Sequence, residues 1–177
     1  MAAPVAGRVV GLYVKPETAG ERGLPKRSVG EIEFRESGVV GDFNRFRTEE
    51  RHGDPAMAVL LISSELLAEL RREGWPVRPG DLGENVTTEG IDYARLGHGR
   101  WRIGTAEVEI SKACDPCDTL RLLPYVGSEK LAGFLRTMLG RRGWYARVVT
   151  PGRARLGDLV ESRDSVPTVA RPWAKAV

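Results

Sequence analysis

Cysteine is nearly absent from this chain: Cys114 and Cys117 are the only two in 177 residues. That excludes a disulfide-stapled scaffold. Histidine is as scarce, and neither His52 nor His98 belongs to a paired H-x(3–5)-H arrangement of the kind that completes a zinc site beside a cysteine pair. No apolar run approaches the roughly 18 residues that a membrane span needs. The stretch Met1 to Val14 carries Arg8 inside a β-like run, not a basic segment followed by an apolar one, which argues against a secretory leader. Lysine is rare too, with five residues against 22 arginines, and the arginines are scattered. The basic blocks of nucleic-acid binders are missing. The expectation is a cytoplasmic protein with neither nucleic acid nor membrane as a partner.

What is present suits a globular domain. Hydrophobic residues make up 41% and charged residues 29%, with a net charge of +3, enough to bury a core without disorder. The length fits one domain. Its expected limits are residues 8–161, with a short extension at 1–7 and a tail at 162–177. The arginine excess has two readings: codon bias, since alanine and glycine are also plentiful, or guanidinium forks for phosphate or carboxylate ligands.

Strand-like segments dominate. Arg8–Val14 is apolar and β-branched, Ser28–Phe34 alternates imperfectly, and Ala56–Ile62 reads as a buried strand. Asn44–Pro55 is almost wholly polar and reads as a long loop. Trp101–Ile103 and Ala106–Ile110 flank Gly104-Thr105, a two-residue hairpin signal. Trp144–Val149 and Leu156–Val160 are the last expected strands, separated by Pro151-Gly152. One helix is expected after a Ser63 or Ser64 cap, ending near Gly74. A second is expected from a Ser128 cap through Lys130–Leu139. Without β-to-α alternation or internal repeats, the pattern predicts a mostly β, closed or nearly closed barrel with a few inserted helices.

Three stretches can carry chemistry. Cys114-Asp115-Pro116-Cys117 reads as a dithiol redox pair, as half of a zinc site, as one working thiolate with a lesser neighbour, or as two small buried hydrophobes. The thiolate reading favours Cys117, which follows proline and opens a short turn. Lys112, Arg121 or the turn's free N–H groups are candidates for lowering its pKa. The run from Gly80 to Gly90 flanks Glu84-Asn85 with glycines, which permits close backbone approach to a ligand, or serves only as a capped turn. Gly41-Asp42 and His52-Gly53-Asp54-Pro55 form the third, with His52 either a solvated loop residue or a donor near neutral pH. Lys26 and Arg27 are further candidates as a phosphate anchor. Costly polar sequence beside apolar strands is typical of ligand mouths. Asp42, His52, Gly83, Glu84 and Asn85 are therefore expected to converge near Cys117.

In combination, Gly41-Asp42, Arg51-His52-Gly53-Asp54-Pro55, P-G-D-L-G-E-N-V-T-T-E-G from Pro79 to Gly90, and Pro116-Cys117-x-x-Leu120 resemble the MOSC family, the C-terminal domain of molybdenum cofactor sulfurases. The resemblance runs from about Arg8 to Glu161. It implies a barrel like the pyruvate kinase barrel domain, and a cleft for the molybdenum cofactor, molybdopterin, that draws on this glycine-rich run, Thr88 included. Cys117 matches the family's cysteine, proposed to ligate molybdenum or carry sulfur, and Cys114 is an extra. It further implies either reduction of N-hydroxylated compounds, with electrons from a redox partner, or sulfur transfer with a cysteine desulfurase. Pyridoxal phosphate would belong only to a partner sulfurase. The rivals are a non-catalytic ligand-binding or sensor module on the same barrel and a C-x-P-C dithiol redox protein. The loop around His52 lacks the family's usual doubled glycine.

Overall fold

Alternation of buried and exposed side chains builds the barrel strand by strand. In the computed structural model, which describes residues 6–21, 23–93 and 99–164, the strands are β1 (Ala6–Val14), β2 (Arg27–Ser28), β3 (Glu31–Arg35), β4 (Gly38–Val39), β5 (Val59–Ser63), β6 (Val86–Glu89), β7 (Arg100–Ile103), β8 (Ala106–Ala113), β9 (Trp144–Thr150), β10 (Gly152–Arg155) and β11 (Leu159–Ser162). Seven of them close a barrel in the order β1-β6-β5-β9-β8-β7-β11 and back to β1. All pairings are antiparallel except β5 with β6. The seam pairs Ala6 with Glu161. A separate three-stranded sheet, β10-β3-β4, packs alongside, and β2 lies on the end of β1. The barrel strands Arg8–Val14, Ala56–Ile62, Trp101–Ile110 and Trp144–Val149 expected from sequence all contribute.

On β7 and β8, Trp101, Ile103, Ala106, Val108 and Ile110 point inward and their polar neighbours outward, as a one-sided sheet requires. Gly104 (φ +58°) and Thr105 join them in the expected two-residue turn. β5 instead buries both faces, because the barrel core lies on one side and the helical layer on the other. That layer comprises α1 (Ser64–Arg72) and α2 (Gly127–Met138). They enclose a second core of Leu67, Leu70, Leu120, Leu123, Phe134 and Met138. Ser63 caps α1 by accepting from the Leu66 N–H. Trp101 is fully buried and meets Tyr93 edge-on, ring centres 5.7 Å apart. Trp101→Ala is expected to cost about 3–5 kcal/mol, read as a lowered urea midpoint.

Four details differ from expectation. Leu156–Val160 is not one strand: Gly157 (φ +87°) turns the chain, and the Asp158 carboxylate accepts from the Arg155 N–H, so β10 and β11 serve different sheets. Ser128 lies inside α2, which begins without a side-chain cap. The loop at Asn44–Pro55 contains an exposed turn of π-helix, Phe46–Glu50. Pro55–Met57 is a 3-10 turn, capped by Asp54, and β5 starts only at Val59.

Candidate active site around Cys117

β8 delivers the cysteines. It ends at Ala113, the Cys114 N–H donates to the Gly143 carbonyl, and Cys117 opens a 3-10 turn at Asp118–Leu122. The two sulfurs sit in opposite environments. Cys114 is 2% exposed, and burial pushes its thiol up despite nearby Arg142. Cys117 is exposed. Its partial burial would also raise its pKa, but the Arg142 guanidinium and the hydroxyl and amide of Thr119 outweigh that and hold the thiol below its ordinary value. Arg142 Nη1 lies 2.9 Å from Cys117 Sγ.

Arg142 follows α2 and is 7% exposed. It donates to the Leu82 carbonyl through Nε and Nη2, and to the Asp115 carbonyl through Nη1. Among the described residues no carboxylate comes within ion-pair distance of it. A buried guanidinium needs a counter-charge, and the Cys117 sulfur in its thiolate form can supply one. Sequence reasoning missed Arg142 and proposed Lys112 or Arg121 in its place. Those cations pair elsewhere, Lys112 with Asp54 at 3.2 Å and Arg121 with Asp118 at 3.3 Å.

The glycine-rich run explains how Arg142 is held. Asp81 accepts from the Arg78 N–H and the Tyr125 hydroxyl, and Glu84 accepts from the Gly80 N–H at 2.6 Å. These bonds fix the turn that offers the Leu82 carbonyl. Gly83 (φ +90°) leaves room beside Arg142: a Cβ there would stand 4.0 Å from Nη2 and 3.1 Å from Leu24. Glu84 and Thr88 therefore support the site from within and do not line it. Glu84 is 0% exposed with Oε2 unpartnered, and Thr88 faces the interior against the Tyr93 hydroxyl at 3.0 Å.

Burial raises the Glu84 pKa above the ordinary carboxylate value, against the opposing pull of the Gly80 N–H and Lys26. The folded protein thus favours the neutral acid. That contribution to stability is complete below the unfolded pKa of about 4.3 and is lost as pH rises through the folded value. Glu84→Gln removes the titration while keeping the shape. The stability of the native protein relative to this variant is therefore expected to fall as pH rises above about 4.3, measured as urea midpoints.

Asp42 and Asn85 meet at the barrel mouth. Asp42 Oδ2 receives Lys26 Nζ at 2.6 Å and Asn85 Nδ2 at 2.9 Å, while Oδ1 receives the Lys15 N–H at 2.8 Å. Asn85 also accepts from the Leu60 N–H and donates to the Tyr13 carbonyl. Both residues line a narrow cleft with Asn44, Arg47, Thr48 and Tyr145. Tyr145 relates the two halves of the site: it lines the cleft and lies in the electrostatic fields of Cys114, Arg142 and Cys117. Lys26 is buried in its ion pair with Asp42, whereas Arg27 is exposed and pairs with Glu21. His52 (φ +50°) is exposed in the loop that walls the cleft but is not among the lining residues. His98 lies outside the described residues.

The MOSC domain model matches residues 48–161. No curated protein matches the chain. Among solved structures, the YuaD protein from Bacillus subtilis is 22% identical, with a TM-score of 0.72 over 92% of this chain and 98% of that one. YiiM from Escherichia coli is 23% identical, with a TM-score of 0.66 over 94% and 73%. YiiM from Geobacillus stearothermophilus is also 23% identical, with a TM-score of 0.64 over 89% and 75%. At such identities the structures establish likeness of fold, and the match to the family model, spanning well over half of the chain, places this protein in the MOSC family.

Proposed function

We propose that this MOSC protein binds the molybdenum cofactor through Cys117 and reduces N-hydroxylated compounds with electrons from a redox partner. The observation that carries the reading is the exposed Cys117 sulfur, 2.9 Å from a buried guanidinium that has no carboxylate partner among the described residues. Among the described residues no group of three or more His, Cys, Asp or Glu side chains is placed to hold a metal ion. A metal that arrives with its own dithiolene ligands needs only one soft protein donor, and one is what this site offers.

When bound, the cofactor would supply two-electron redox chemistry. The chain's own contributions are positional. Arg142, itself fixed by the Leu82 and Asp115 carbonyls, favours the anionic form of the Cys117 sulfur and holds it in place. Asp42, with its charge balanced by Lys26, and Asn85 form a rigid polar floor. Cys114, buried and held protonated, is poorly suited to an equal dithiol pair.

The second reading, a sulfur carrier fed by a cysteine desulfurase, uses the same exposed thiolate. Metal analysis of freshly purified protein separates the two. Stoichiometric molybdenum with pterin supports the reductase. Metal-free protein with cyanide-releasable sulfur on Cys117 supports the carrier, and neither result supports the binding module.

A further inference from the structure

The charges around Arg47 do not balance. The two carboxylates whose fields reach it are already matched, Asp42 with Lys26 at 2.6 Å and Asp54 with Lys112 at 3.2 Å. Arg47 lines the cleft, and among the described residues no carboxylate lies within ion-pair distance of it. Neutral acceptors hold its guanidinium instead. Nε donates to the Asp54 carbonyl at 2.8 Å, Nη1 to the Ser37 carbonyl at 2.6 Å and Nη2 to the Gly53 carbonyl at 3.0 Å. A guanidinium carries five N–H groups, so two are left to donate. Burial lowers the Arg47 pKa against the opposing pull of Asp54 and Asp42, yet arginine stays protonated at any working pH. The cleft wall therefore holds a fixed, half-buried positive charge that carbonyls alone do not neutralise.

Asn44 and Thr48 line the same cleft. Asn44 spends Oδ1 on the Arg47 N–H, and Thr48 gives its own N–H to the Asn44 carbonyl. Among the described residues, neither the Asn44 amide nitrogen nor the Thr48 hydroxyl has a partner. We propose that Arg47, with Asn44 Nδ2 and Thr48 Oγ1 beside it, forms a carboxylate-binding subsite, so that the ligand of this cleft is a small monoanion. A planar carboxylate matches the guanidinium fork and the narrow opening. Its single charge cancels the one in excess. A phosphate dianion would set a second charge beside Asp42 and Asp54, and an uncharged ligand would leave Arg47 unmatched. The assignment goes beyond the redox reading: it concerns the charge of the ligand, and holds with or without molybdenum.

Acetate is the probe. Acetamide is its uncharged counterpart, and methyl phosphate is a dianion at about pH 8. Each is titrated into the purified protein at constant ionic strength, and binding is followed at the Thr48 amide by heteronuclear NMR. Acetate is expected to bind about tenfold or more tightly than acetamide, the weight of a charge-assisted hydrogen bond, and more tightly than methyl phosphate. Arg47→Gln removes the charge and should weaken acetate by about tenfold or more. Asn44→Asp should do the same. It keeps the acceptor for the Arg47 N–H but places a carboxylate in the subsite, so it remains decisive even where Arg47→Gln loosens the loop. Equal binding of acetate and acetamide, tighter binding of methyl phosphate, or native acetate affinity in Asn44→Asp overturns the subsite. None of these outcomes depends on bound metal, so the redox reading stands or falls separately by the molybdenum assay.

Discussion

Cys117→Ser is expected to leave less than about a tenth of the native molybdenum per chain, without lowering the melting temperature. A serine hydroxyl is a harder and less ionised donor than a thiolate, so it forfeits the soft ligand. The side chain is exposed, so exchanging sulfur for oxygen disturbs no core packing. Cys114→Ser should behave in the opposite way. Its thiol is buried and kept protonated, so serine puts a hydroxyl where a weakly polar sulfur packed, at a modest cost in stability of about 1 kcal/mol. Molybdenum retention should fall only in part, because the exposed Cys117 sulfur is left in place. The two variants should be assayed together for metal by mass spectrometry and for melting by circular dichroism. A metal-replete Cys117→Ser beside a metal-free Cys114→Ser would assign the working sulfur to Cys114.

The second large effect is expected at Arg142. In Arg142→Met the volume is roughly kept, but the Leu82 and Asp115 carbonyls lose a donor and Cys117 loses its cation. Without the guanidinium, only Thr119 is left to oppose burial at the Cys117 thiol, and its pKa rises. Each unit of that rise removes about tenfold of the thiolate near neutral pH. Alkylation by iodoacetamide at about pH 7, in a Cys114→Ser background, should therefore slow by about tenfold or more. Arg142→Lys should recover only part of the rate. An ammonium cannot span the two carbonyls and the sulfur as the planar fork does. Equal alkylation rates in all three proteins would show that Arg142 does not govern the thiolate.

These two residues mark how far the sequence could be read. Cys117 was legible because its signal is local: proline before it, a short turn after it and a strand upstream. Arg142 was not, being one of 22 arginines with nothing local to distinguish it. Its role appears only when the end of α2 is brought against Leu82 and Asp115, and pattern within a short window does not report such contacts. Tyr145 was hidden for the same reason. Its strand was identified, but which of its residues would face the cleft depends on how β9 registers with β5 and β8.

Glu84 and Thr88 mark a different limit. Polar residues in a glycine-rich motif suggested ligand contact, yet their side chains turn inward and build the turn or the barrel interior. Asn85, next in sequence, is the member of that run whose side chain both lines the cleft and bonds to Asp42. The barrel itself was legible from the apolar runs and the glycine-led hairpin. The split between β10 and β11 was masked by the apolar residues Leu156, Leu159 and Val160, two of which are exposed, at 54% for Leu156 and 46% for Leu159.

The seam that pairs Ala6 with Glu161 also sets the order in which the molecule can assemble. Contacts between segments so distant along the chain carry a large loop-closure cost and form late. Asp42, Asn85, Cys117 and Arg142 come from four separate stretches, and their mutual bonds need the barrel strands to be in register. A ribosome-bound chain lacking β11 has no closed barrel and no complete cleft. If the proposed cofactor is bound, its loading is expected to follow translation, and recovery of ligand binding on refolding should lag behind the appearance of β structure.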